Sequence, residues 1–139
     1  MQCRFCAILE APAGRILREG KYVFAILSDP RLMKGHVLVI PKRHTEKLSE
    51  LSAEERGELM DEVISIEEKL LTKASGVDLV QNYRPFIPEN DLKVDHLHMH
   101  LRPRELNDAI YEKVQIYERG IFTPLIEAEI QEYRSLLAD

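Results

Sequence analysis

The segment Asp95–Arg104, reading Asp-His-Leu-His-Met-His-Leu-Arg-Pro-Arg, constrains this chain more than any other. Three histidines, His96, His98 and His100, alternate with Leu97, Met99 and Leu101. A period of two is the strand period, so one face carries imidazoles and the other core-forming side chains. A buried strand gains nothing from three imidazoles, because each ring has polar nitrogens that need partners. The row points to chemistry, and a metal site is the first candidate. On a straight strand the outer two Cα atoms stand roughly 13 Å apart. Neighbouring pairs can share one ion, but three cannot. Either two histidines bind metal and one does not, or the row divides into different jobs.

The flanking chain reads as a single domain of 139 residues, long enough for a sizeable core. Its net charge of −5, with no long Lys/Arg run, argues against a wide nucleic-acid-binding surface but allows a local basic pocket. The two cysteines, Cys3 and Cys6, cannot build a disulfide framework. They suggest a reducing compartment, with a redox pair, half a zinc site or two core thiols as alternatives. No signal peptide or membrane-length apolar run is present, so the expected location is the cytoplasm.

Residues 14–19 and 22–27 read as two antiparallel strands joined at Gly20-Lys21. Ser28 to Lys34 is a loop containing Asp29-Pro30. His36 to Ile40 is a mostly apolar strand, buried on both faces. Ser52-Ala53-Glu54-Glu55 is a capping box. It opens a helix with Leu59, Val63, Ile66 and Leu70 on one face, running to about Ala74 with Gly76 as its stop. Residues 77–81 form a further strand that delivers Asn82 into a loop ending near Leu92. After Arg104 an amphipathic stretch runs through Ile110, Val114 and Tyr117 to Gly120. Thr123 as N-cap and Pro124 at the first helical position then start a final helix.

His-Leu-His-Met-His-Leu-Arg, with Pro103-Arg104 after it, resembles the histidine triad (HIT) superfamily. Gly35-His36 through Pro41-Lys42-Arg43-His44 resembles that superfamily's second signature, and Cys3-Arg4-Phe5-Cys6 its N-terminal one. The resemblance implies an α+β fold, with an antiparallel sheet of about five strands, a long helix packed on it and a C-terminal helix. It implies one HIT domain over 1–139, its core about 3–104 and an extension about 105–139. It also implies a homodimer that extends the sheet.

The implied activity is hydrolysis or nucleotidyl transfer at the α-phosphate of a nucleotide, through a covalent nucleotidyl-histidine. His98 is the implied nucleophile. His100 and His36 stand by the phosphate or leaving group, where a charged imidazole would stabilise the transition state. Zinc held by Cys3, Cys6, His44 and His96 is implied as a structural ion that the chemistry does not need. Ser28 or Asp29 is the implied ribose contact, and Asn82 a substrate contact. Two departures stand out. Arg102 occupies a position that is usually apolar, and Asp91-Leu92-Lys93 replaces the usual Gly-Gln-Ser or Gly-Gln-Thr. Lys93 then either offers a point charge to phosphate or is an ordinary solvated lysine. Two further functions are weighed against this one. A non-catalytic nucleotide-binding or adaptor protein is suggested by the altered loop. A zinc-dependent hydrolase would carry its metal on His98 and His100.

Overall fold

A computed structural model describes residues 2–115 and 122–138. The chain divides into two compact units at Leu106/Asn107. The first holds a five-stranded antiparallel sheet: β1 (Ile16–Glu19), β2 (Val23–Leu27), β3 (Val37–Pro41), β4 (Gly76–Gln81) and β5 (Met99–Arg104). Their order is β1-β2-β3-β5-β4, so the histidine-bearing strand sits inside the sheet, between β3 and the edge strand β4. The expected α+β architecture is present.

Two helices cover the sheet's two faces. Helix α2 (Ala53–Leu70) lays Leu59, Val63 and Ile66 on Val23, Ala25, Val37, Val39, Met99 and Leu101. The opposite residues of the same strands, Phe24, Ile26, Leu38 and Ile40, pack around Phe5 of the short helix α1 (Arg4–Glu10). All of β3 is buried, as its unbroken apolar run predicts. The capping box at the start of α2 is complete: the Ser52 hydroxyl accepts from Glu55 N–H, and the Glu55 carboxylate accepts from Ser52 N–H.

Four details depart from the sequence reading. Helix α2 ends at Leu70, and Gly76 opens β4. Strand β3 begins at Val37, one residue after His36. Strand β5 begins only at Met99, so His96 and His98 lie on its approach and the three histidines do not share one straight strand. Helix α1 goes unread because Cys3 at its N-cap makes no side-chain cap bond, and the burial of Phe5 sustains its seven residues.

In the second unit, helix α3 spans Glu127–Leu137. Thr123 and Pro124 lie before it in non-helical chain, and Ile126 is the N-cap. The acidic Glu127 and Glu129 favour the later start, since carboxylates suit a helix N-terminus. Ile110 falls in a helical turn that continues as a π-helical stretch, Tyr111–Gln115. Tyr117 and Gly120 lie outside the described residues.

Candidate active site and metal centre

The approach to β5 fixes the tautomer of His98. Its Nδ1 lies 2.7 Å from the carbonyl oxygen of His96. A carbonyl only accepts, so Nδ1 carries the proton and Nε2 is left with a lone pair. The edge of Phe5 meets the ring at 5.1 Å between centroids. Burial pushes the His98 pKa below its ordinary 6.5, against the opposing pull of the His96 carbonyl. The side chain is therefore a neutral imidazole at pH 7 with one unprotonated nitrogen.

His100 and His36 form a relay. The backbone N–H of Leu32 donates to His36 Nδ1 at 3.2 Å, so that nitrogen is unprotonated. His36 Nε2–H then donates to His100 Nδ1 at 2.9 Å. The last ring in turn keeps its proton on Nε2. Gly35 makes this turn possible. Its φ is +83°, and a Cβ there would meet Pro103 Cγ at 3.2 Å. Burial, then the positive charge of Arg102, lowers His36 to about 4. Burial, then His98 and Arg102, lowers His100 to about 3. Burial thus favours the neutral form of both rings, and His100 Nε2–H offers a hydrogen bond.

His96 faces the other way, towards α1. Its Nε2–H donates to Pro41 O at 2.8 Å, which frees Nδ1 as a ligand atom. That Nδ1 lies 3.4 Å from Cys3 Sγ and 3.6 Å from Cys6 Sγ, and His44 Nδ1 lies 3.5 Å from Cys6 Sγ. The ligand atoms of Cys3, Cys6, His44 and His96 all fall within 4.8 Å of one another. A tetrahedral ion with ordinary zinc–sulfur and zinc–nitrogen bonds sets its sulfur and nitrogen ligands about 3.5 Å apart. The four side chains fit such an ion. The redox-pair and core-thiol alternatives for Cys-x-x-Cys give way to a cluster that can bind metal. Burial, then the Cys3 thiol, pushes the Cys6 thiol up, so metal capture there would release a proton.

A cavity of about 570 Å³ opens over His98 and His100 and also touches His36 and His96. Asn82 and Ser28 line it, although the Ser28 hydroxyl donates to Pro30 O at 2.8 Å. Lys93 lines it too, with its ammonium 2.6 Å from Asp95 and bonded to the Ile87 carbonyl. Two of its three N–H donors are thus engaged. Asp29 is exposed and absent from the lining, while its neighbour Pro30, reached by a cis bond, is part of it. Two residues went unread: Phe5, which packs against His98, and Arg4, which binds the carbonyls of Asp91 and Asn90 at 2.9 and 3.1 Å. Both lie between Cys3 and Cys6, but only the fold reveals what they reach.

The HIT domain family pattern matches residues 9–107. The chain belongs to the HIT family. Adenosine 5'-monophosphoramidase hnt1 of Schizosaccharomyces pombe is 34% identical over 108 residues, covering 75% of each protein. A crystal structure of a HIT family protein from Bacillus anthracis superposes with a TM-score of 0.71 at 25% identity, covering 98% of this chain and 94% of that one. A zinc-bound histidine triad family protein of Mycobacterium smegmatis has a TM-score of 0.59 at 27% identity, covering 78% of this chain and 79% of that one.

Proposed function

We propose that this HIT protein is a nucleotide hydrolase or nucleotidyl transferase acting through His98. The observation that carries the proposal is the bond from His98 Nδ1–H to the His96 carbonyl, which leaves Nε2 unprotonated over the cavity. Nε2 attacks the α-phosphorus, a P–N bond forms, and the bond to the leaving group breaks with its electron pair on the leaving atom. His100 Nε2–H, set by His36 and Leu32, donates to phosphate oxygen as charge develops. Water or another acceptor then attacks the phosphorus, and the P–N electron pair returns to Nε2. The similarity to an adenosine 5'-monophosphoramidase supports a nucleotide substrate. Asn82, Ser28 and Lys93, which line the cavity, are assigned to substrate contact, and Asp29, outside the lining, is not.

Zinc is assigned to Cys3, Cys6, His44 and His96, where it supplies a structural tie between α1 and the approach to β5. A catalytic zinc on His98 and His100 is disfavoured. Catalytic sites use three protein ligands, and among the described residues the ligand atoms gathered closely enough for an ion are those of Cys3, Cys6, His44 and His96. The reading includes a homodimer joined through a sheet edge and a cytoplasmic location. The non-catalytic alternative draws on Asp91-Leu92-Lys93. Both are tested by assaying a panel of nucleotide anhydrides, an adenosine phosphoramidate and nucleotide sugars, with and without phosphate, beside His98→Ala. Turnover lost in the variant, with a nucleotidyl adduct on quenched wild-type protein by mass spectrometry, supports the nucleophile. Tight binding without turnover supports the adaptor.

A further inference from the structure

Arg102 stands where the resemblance leads one to expect an apolar side chain. It follows His100 on the same face of β5 at the strand's two-residue period, a step of roughly 6.7 Å. The register places Leu38 and Val80 beside His100, and Asp78 beside Arg102. Continuing the β3 register brings His36 to the other flank of Arg102. The guanidinium is thus the next group along the row of reacting imidazoles, and it lines the same cavity.

Its bonding is incomplete. Arg102 Nε is sealed from solvent and makes no hydrogen bond among the described residues. The carboxylate across the ladder is shared: Asp78 pairs with Arg104 and reaches Arg102 only through its charge. A second guanidinium, Arg84, lines the cavity from the loop after β4 and is close enough for its charge to bear on both Arg102 and His100. A buried donor left without a partner is costly, and two guanidinium groups facing one cavity repel. An anion between them relieves the repulsion, and a guanidinium fork suits a phosphate.

We propose that Arg102 and Arg84 form a second anion subsite, one step past the triad, which binds a phosphate of the leaving group. The assignment rests on the nucleotidyl-histidine reading for its chemistry and on the two guanidinium groups lining the cavity for its place. The favoured substrate is a nucleotide whose α-phosphate is joined to a further phosphate. His98 Nε2 forms the P–N bond, the α-phosphorus–bridging oxygen bond breaks, and the bridging oxygen takes the electron pair and leaves as a phosphate oxyanion against Arg102. Such a leaving group needs no proton. An amine leaving group does, and it brings no negative charge to the two guanidinium groups.

The test separates binding from turnover. AMP and ADP are titrated calorimetrically into His98→Asn protein and into His98→Asn/Arg102→Leu protein. The extra phosphate of ADP is expected to tighten binding roughly ten- to a hundredfold in the first and to give little gain in the second. Arg102→Lys in the same background is expected to keep part of the gain, and thermal melts check that each variant is folded. A ratio unchanged by Arg102→Leu, or equal weakening of both ligands, overturns the subsite. With His98 intact, Arg102→Leu is expected to lower the kcat/KM ratio of a dinucleoside polyphosphate over adenosine phosphoramidate by at least about tenfold. Phosphate-dependent formation of a nucleoside diphosphate is the reverse of the same step, and its loss in Arg102→Leu would support the subsite. Turnover surviving in His98→Ala removes the nucleophile reading alone, since the ADP-to-AMP ratio judges the subsite independently.

Discussion

At the scale of single residues the site depends on who holds which proton. His98→Ala is expected to lower kcat by more than about a thousandfold, measured against the best member of the panel. His36→Asn acts through another ring and is expected to lower kcat more than it raises KM, with the loss largest for substrates that depend on the His100 donor. The same rings give the protein a pH dependence. His36 and His100 sit at about 4 and about 3, below the 6.5 of the unfolded chain. The unfolded state therefore binds more protons between those values, and stability falls as pH drops from about 6.5 towards 4. Urea denaturation across that range is expected to show the slope, and His36→Asn to flatten it. The three-histidine alternation was plain in the sequence. The relay was not, because His36 and His100 are 64 residues apart and Leu32 takes part only through its backbone.

At the scale of elements, local chemistry was legible and tertiary chemistry was not. Ser52 and Glu55 announced the start of α2 three residues apart. What could not be read is that the carboxylate serving the cap also receives Arg43, with Nη2 at 2.8 Å and Nε at 3.2 Å. That pair, then the Ser52 N–H, holds Glu55 at about 2. Its contribution is complete above the unfolded value near 4.5 and is lost as pH falls through about 2. Ser52→Ala removes one cap bond and is expected to cost about 1 kcal/mol, seen as a lower denaturation midpoint at unchanged slope. Glu55→Ala strips the cap and the Arg43 partner together and is expected to cost more than Ser52→Ala. Helix α1 is the opposite case. Its start carries no cap signal, and it exists because Phe5 is buried between the sheet and the rings of His96 and His98. Phe5→Ala is expected to cost about 3–5 kcal/mol and to lower kcat by loosening the nucleophile.

At the scale of the molecule, the cluster of Cys3, Cys6, His44 and His96 gathers ligands from α1, from the chain after β3 and from the approach to β5, across 93 residues between its first and last members. An ion held there closes a long loop and presses α1 onto the face that carries His98. The same helix sends Arg4 to the carbonyls of Asn90 and Asp91, so an ion held there would also steady the loop that walls the cavity. Metal removal should therefore act on stability first and on rate only through looseness. Elemental analysis is expected to find one zinc per chain, and Cys3→Ser/Cys6→Ser protein to have lost it. Chelation is expected to lower Tm by at least about 5 °C while leaving measurable turnover at low temperature. Abolition of activity by chelation at a temperature where the fold persists, with two zinc ions per chain, would move the chemistry to a metal on the triad. Partial activity with a lowered Tm would keep the metal as a tie and the imidazole of His98 as the nucleophile.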